Sequence, residues 1–432
     1  MDNPLLPLSP RHFTPHSDLP QKGVERTNHR EMMMKRVDAI FQESGYEPRP
    51  YQRRIVEDVV NMFTGQYVNG AKELEQAVES VMIESPTGSG KTCMALIIAK
   101  VLQSEFPDLV IGWVSMRRNL LRQVMAENTG KGVDLESFHP VSMFDQYVPE
   151  LLAARRAGRK ILLCIDECQH DAASSCAHLH NIIEPDFVLG MTATPFRSDS
   201  MKLCFSKVVK DAGIHQLIQD GYLSKYQHFT IPDWSPRTVA EFYAAEPERW
   251  GKSIFYFLTT DDCWELHREF QARGIVSDVV VGSSTSGFRE EQLRAFRAGD
   301  VPCLINCMVL TEGFDEPSLA TAWVRDSGKG PTIQMAGRVF RQWPALPFKQ
   351  VVQSRETRWP MIRTALPLQQ HLWQENEWRT LEINPLLERI NTNSRMAIAS
   401  AVVELPAFLS KKKATFDGRR RRRGGGGRRR RA

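Results

Sequence analysis

Ser85-Pro86-Thr87-Gly88-Ser89-Gly90-Lys91-Thr92 follows directly on the apolar run Val81-Met82-Ile83 and precedes a helical pattern that starts at Cys93. A strand, a glycine-rich loop and a helix in that order make a cradle for phosphate. The glycines let the loop turn its N–H groups toward phosphate oxygens. Lys91 supplies a cation for β and γ phosphates, and the Thr92 hydroxyl is a ligand for magnesium. The helix start adds the positive end of its dipole. The usual pattern opens on glycine, where this chain has Ser85. Because the Gly-Lys-Thr end carries most of the chemistry, the stretch still reads as the phosphate loop of a nucleoside triphosphatase.

Outward from this loop, short apolar strands alternate with helical segments. The strands read from the sequence are Val81-Ile83, Leu109-Val114, Lys160-Ile165 and Phe187-Leu189. After a connector with Pro232 and Pro236 the alternation repeats, with strands at Ser253-Leu258, Val279-Val281, Pro302-Asn306 and Thr321-Val324 and a helix at Arg289-Arg297. Such alternation predicts parallel sheets covered by helices on both faces, hence two α/β domains in tandem. The expected division is 31–225 and 226–345. An appended layer over 346–410 would hold a strand at Gln350-Gln353 and helical stretches at Leu366-Glu377 and Ser394-Val403.

Asp166-Glu167 closes the apolar strand that ends at Ile165, at the edge where open parallel sheets bind ligands. Paired carboxylates there divide the work: Asp166 holds magnesium, and Glu167 orients or deprotonates a water.

Asp166-Glu167-Cys168-Gln169-His170, Thr192-Ala193-Thr194-Pro195 and Gln334-Met335-Ala336-Gly337-Arg338-Val339-Phe340-Arg341 resemble, in order and spacing, motifs II, III and VI of the superfamily 2 DEAD/DEAH-like helicases. The likeness runs from about residue 45 to 345 and is greatest to RadD-type proteins and type III restriction motor subunits. It implies two tandem RecA-like P-loop domains that clasp ATP and Mg2+ between them. Arg49-Pro50-Tyr51-Gln52 is similar to the adenine-reading Q-motif, which implies base contacts from Gln52 and Arg49 and a preference for ATP, since an amide complements the adenine edge.

The segment Val114 to Gln123 resembles motif Ia, which makes Arg118 a contact for nucleic-acid phosphate. Thr192 and Thr194 take the coupling position, with Gln169 where the family box usually has His. Val309 to Asp315 resembles motif V, with Gly313 and Asp315 near the nucleotide and Thr311 near the tracked strand. In motif VI, Arg338 and Arg341 lie three apart on one helix face and act as arginine fingers, and Gln334 positions the lytic water.

The resemblance therefore implies an ATP-dependent DNA helicase or translocase in repair, recombination or fork processing. An RNA helicase, a partner-dependent motor subunit and an ATP-gated clamp are the alternatives.

Charge distribution fits such a partner. Net charge is +5, yet the last 22 residues, with Lys411-Lys413, Arg419-Arg423 and Arg428-Arg431, hold +11 and the rest about −6. This Arg/Gly tail cannot bury a core and reads as a disordered tether for phosphate backbones. Residues 1–30, rich in Pro and polar groups, read as a disordered leader. No apolar run approaches the ~18 residues of a membrane span. Eight scattered cysteines predict free thiols and a cytoplasmic protein. Cys168, His170, Cys176, His178 and His180 do not read as a zinc site, because the histidines alternate along a helix at i, i+2.

Overall fold

The computed structural model describes residues 23–170, 174–194, 205–307, 309–310 and 314–382. Thr311, Gly313, Pro195, the stretch expected to be helical at Ser394-Val403 and the basic tail lie outside them. Both lobes described below belong to one compact unit that ends at Leu381.

The first lobe holds β1 (Ser80–Glu84), β2 (Val110–Ser115), β3 (Phe138–Ser142), β4 (Ile161–Asp166), β5 (Phe187–Thr192) and β6 (Lys207–Val209). They form a parallel sheet in the order β3-β2-β4-β5-β1-β6. Its helices are α1 (Gly23–Glu43), α2 (Pro50–Thr64), α3 (Lys91–Glu105), α4 (Arg118–Gly130), α5 (Pro149–Arg156), α6 (Ser174–Ile183) and α7 (Ile214–Gln219). The strands read as unbroken apolar runs because both faces are covered: Val81, Ile83, Ile111, Leu162, Leu163 and Leu189 are fully buried, in clusters on opposite sides of the sheet. Burying each such side chain contributes roughly 1.5–3 kcal/mol before the entropy of ordering is subtracted. Helix α1 already begins at Gly23, inside the stretch expected to lack structure.

The second lobe holds β7 (Tyr226–Ile231), β8 (Ser253–Phe257), β9 (Ser277–Val280), β10 (Cys303–Cys307), β11 (Thr321–Trp323), β12 (Lys349–Ser354), β13 (Gln369–Gln374) and β14 (Glu377–Glu382), in the order β14-β13-β7-β12-β11-β8-β10-β9. Helices α8 (Pro236–Ala245), α9 (Pro247–Trp250), α10 (Thr260–Ala272), α11 (Ser286–Ala298) and α12 (Lys329–Gly337) complete it. Pro236 starts α8 where its missing N–H is harmless, and the Ser235 hydroxyl caps that end by accepting from Thr238 N.

Two expectations change here. The strand at Gln350-Gln353 is no appended layer: β12 runs between β7 and β11 in the interior of the second sheet. The stretch Leu366-Glu377, expected as helix, contributes β13, which pairs in parallel with β7. A turn at Glu375 and Asn376, both at positive φ, then leads into β14. Packing decides this segment. His371 stacks on Phe229 with ring centroids 4.3 Å apart, and Trp373 and Trp378 enclose Phe242 at 5.0 and 5.6 Å.

Candidate active site at the seam between the lobes

The phosphate loop is held from three sides. Ser85 N donates to Thr192 O at the end of β5 (2.9 Å), and the Ser85 hydroxyl bonds that of Ser89 (2.7 Å). Ser85 has no positive φ, so nothing in its backbone requires glycine, and its hydroxyl adds a tie across the loop. Gly88 and Gly90 do sit at φ +81° and +86°. A Cβ on Gly90 would also overlap Gln52 Nε2. Lys91 begins α3 half-buried, with Nζ donating to Ser85 O (3.2 Å) and Pro86 O (3.3 Å).

Gln52 and Tyr51 brace this loop from α2: Gln52 Nε2 and the Tyr51 hydroxyl each donate to Ser89 O at 2.7 Å. Gln52 Oε1 accepts from Arg49 N (2.9 Å). Each end of the amide thus has one protein partner, and by its chemistry one further donor hydrogen and one further lone pair. The Arg49 guanidinium lies 5.1 Å over the ring of Tyr222, which also meets Tyr51 edge-on at 5.6 Å.

At the end of β4, Asp166 Oδ1 accepts from Glu167 N (3.1 Å), and Glu167 is one of the few non-glycine residues at positive φ (+51°). Such a backbone costs on the order of 1–2 kcal/mol. A chain of hydrogen bonds leads onward. Gln169 Nε2 donates to Glu167 Oε2 (3.1 Å), Thr192 Oγ1 donates to Gln169 Oε1 (2.6 Å), and Thr194 N donates to Thr192 Oγ1 (2.9 Å). Gln169 thereby links the acidic box to the threonine pair, both of whose members are buried.

The second lobe closes over these groups. Gly330 of α12 faces the Thr194 side chain at 3.8 Å, and Gly337 packs on Thr87, both measured from an ideal Cβ position. Gly88 lies in the same sense 3.7 Å from Arg341 Cγ and 3.4 Å from Leu223 Cδ2. Helix α12 ends at Gly337, so Arg338 and Arg341 lie beyond it and do not share the helix face expected of them; Arg338, buried at the C-cap, donates to Phe314 O (3.1 Å), and Arg341 pairs with Asp315. Gln334 is half-buried on α12 between these contact points.

Electrostatics record the convergence. Burial holds the Lys91 ammonium below the ordinary lysine range. Glu167 and Asp166 act against that shift, while Arg338 and Arg341 reinforce it. Burial likewise raises Asp315, with Arg341 and Arg338 opposing, and lowers Arg341, with Asp315 opposing. Beneath this loop the fully buried Lys349 donates to Pro317 O (2.7 Å) and Leu319 O (2.6 Å), and burial brings it down to about 8.

The donors fit the groups implied by the sequence. Thr92 and Asp166, both half-buried, offer a hydroxyl and a carboxylate, hard oxygen ligands of the kind magnesium takes beside phosphate. Lys91, Arg338 and Arg341 are the cations a triphosphate requires.

Arg118 is exposed at the start of α4. Its neighbour Arg117, which sequence reasoning passed over, reaches across to Val309 O, and Arg122 pairs with Glu290 at 3.0 Å in solvent. The connector between the lobes was also missed. Leu223 rests on Gly88, Ser224 Oγ donates to Arg341 O (3.0 Å), and Ser224 N donates to Phe340 O (2.8 Å). These residues match no motif, and only their place between the sheets reveals them.

Known proteins bear on this arrangement. The family described as type III restriction enzyme, res subunit, matches residues 45–142, and the helicase conserved C-terminal domain matches 236–342. A 51.5 kDa protein of a Lactococcus phage is 25% identical over 268 residues, covering 55% of this chain and 56% of its own. The putative mitochondrial ATP-dependent helicase irc3 of Schizosaccharomyces pombe is 22% identical over 65% of this chain and 52% of its own. The chain spans about half the length of these curated relatives. Among solved structures, the ATP-dependent type ISP restriction-modification enzyme LlaBIII bound to DNA superposes with a TM-score of 0.53 at 14% identity, over 71% of this chain and 27% of its own.

Proposed function

We propose that this chain, which carries a superfamily 2 helicase core with a type III restriction-like motor, is an ATP-dependent DNA helicase or translocase acting in repair or recombination. The observation that carries the reading is the packing of the second lobe on the phosphate loop of the first, Arg341 against Gly88 and Gly337 against Thr87, with Arg338 next along the chain. A triphosphate bound there would join the lobes, and its hydrolysis would release them, shifting their grip on a strand laid across both.

The residues take these roles. The loop from Thr87 to Thr92 holds the phosphates, and Arg49 and Gln52 meet the base, the latter with the remaining half of its amide. Thr92 and Asp166 hold magnesium, which when bound would neutralise phosphate charge. Glu167 takes a proton from the attacking water, which Gln334 orients. Arg338 and Arg341 meet the charge that develops on the γ-phosphate, and Asp315 lies on the nucleotide side of the same segment. The Glu167–Gln169–Thr192–Thr194 chain reports that charge to α12 through Gly330. Arg118 and Thr311 grip the backbone of the strand. The thiols suit a reducing, cytoplasmic setting; six of them, among the described residues, are free.

Hydrolysis assays with single-stranded, duplex and forked DNA and with RNA test the reading. DNA is expected to stimulate most, and stimulation by RNA alone would move the assignment to the RNA helicases. Lys91→Ala is expected to abolish turnover, and unchanged hydrolysis would remove the phosphate loop from the mechanism.

A further inference from the structure

Strand β3 ends beside β2, with Ser142 in register with Ser115 and Met143 N donating to Ser115 O (3.0 Å). The chain then makes a tightly bonded turn. Asp145 N donates to Ser142 O (2.9 Å), Asp145 Oδ2 accepts from Ser142 N (2.8 Å), and Phe144 N donates to the Ser142 hydroxyl (3.3 Å). The ring of His178 on α6 bonds Gln146 O at 3.2 Å. Met143 and Val148 anchor the turn in the core at 1% and 5% exposure.

Between those anchors Phe144 and Tyr147 stand in water at 59% and 65% exposure, the most exposed aromatic side chains among the described residues. The fold makes no use of them. A turn fixed this firmly needs no aromatic residue, and two exposed rings on one short turn mark a surface for binding.

Their neighbours identify what binds. The end of β2, paired with β3, leads into Arg117 and Arg118, and Arg122 follows one turn along α4. Arg117 and Arg122 both reach the second lobe, at Val309 O and Glu290, so this sheet edge looks onto the gap that a strand would cross. Arginines after one strand and exposed rings after its paired neighbour match a polymer that alternates phosphate with planar bases, and they match it only where the bases are unpaired and their faces open. We infer that Phe144 and Tyr147 form a platform on which bases of a single strand stack while Arg118 holds the adjoining phosphate.

This rests on the nucleic-acid reading of the site and deepens it, because a motor that tracks the backbone alone needs no base contacts. The platform gives the protein a grip specific to unpaired strand and places that grip on the first lobe.

Fluorescence anisotropy with the full chain separates the possibilities, using a single-stranded DNA, an abasic strand with the same number of phosphates, and a blunt duplex. The wild type should bind the base-bearing strand on the order of tenfold or more tighter than the abasic one. Phe144→Ala with Tyr147→Ala should erase that difference and leave abasic binding, the salt slope and basal hydrolysis unchanged. Tyr147→Phe should retain it.

Equal binding of base-bearing and abasic strands by the wild type overturns the platform while leaving the helicase reading intact. So does undiminished binding by the double variant, the result expected if these rings serve a protein partner. Binding of no polymer by the wild type removes both.

Discussion

The first lobe builds its half of the seam from backbone, the second from side chains. In the first, the loop turns at Gly88 and Gly90 and the box turns at Glu167, all at positive φ, and Tyr51 and Gln52 fix Ser89 through its carbonyl. In the second, two long side chains carry the charge, and their guanidinium groups are held by Phe314 O and by Asp315. The contrast follows from the two tasks. Enclosing a phosphate needs several N–H groups converging at close range, which only a constrained backbone provides. Delivering charge across the seam from the other lobe needs reach, which arginine has.

The largest expected effect therefore separates binding from turnover. Arg338→Ala and Arg341→Ala should each lower kcat by about three orders of magnitude while nucleotide binding, measured by equilibrium titration, changes little. A change confined to binding would break the division of labour. Gly90→Ala should act the other way. A left-handed backbone with a Cβ costs about 1–2 kcal/mol, and the methyl would displace Gln52, so nucleotide affinity should fall on the order of tenfold or more.

The smallest effect concerns the second lobe alone. His228 of β7 is buried against Gln353 of β12 at 3.0 Å, and burial lowers its pKa to about 4. The unfolded chain takes up that proton near pH 6.5, so stability present above 6.5 should drain as pH falls toward 4, by up to about 3 kcal/mol. Denaturant titrations across that range should show the loss in the wild type and a flatter profile in His228→Gln.

Legibility in the sequence followed locality. The phosphate loop, the acidic box and the strands that carry them could be read because each is a short stretch whose residue types serve its own backbone. The departures from pattern were also local. Ser85 ties to Ser89, and Gln169 bonds both Glu167 and Thr192. Strand β3 escaped notice because Pro140 sits in it, which the edge position tolerates. The stretch around Leu372 carried helix-favouring Leu and Gln, and became strand because β7 accepts a partner and Phe229 and Phe242 accept its rings.

By itself the sequence determined two tandem α/β lobes and the chemical groups each would offer. Only the tertiary structure decided which groups meet: Arg341 and Leu223 beside Gly88, Gly330 beside Thr194, Ser224 on Arg341 O, with Phe144 and Tyr147 left in water. A local pattern records what a residue does to its own backbone. Contacts between residues more than about a hundred positions apart arise from the packing of two finished sheets, and no period or spacing along the chain carries them.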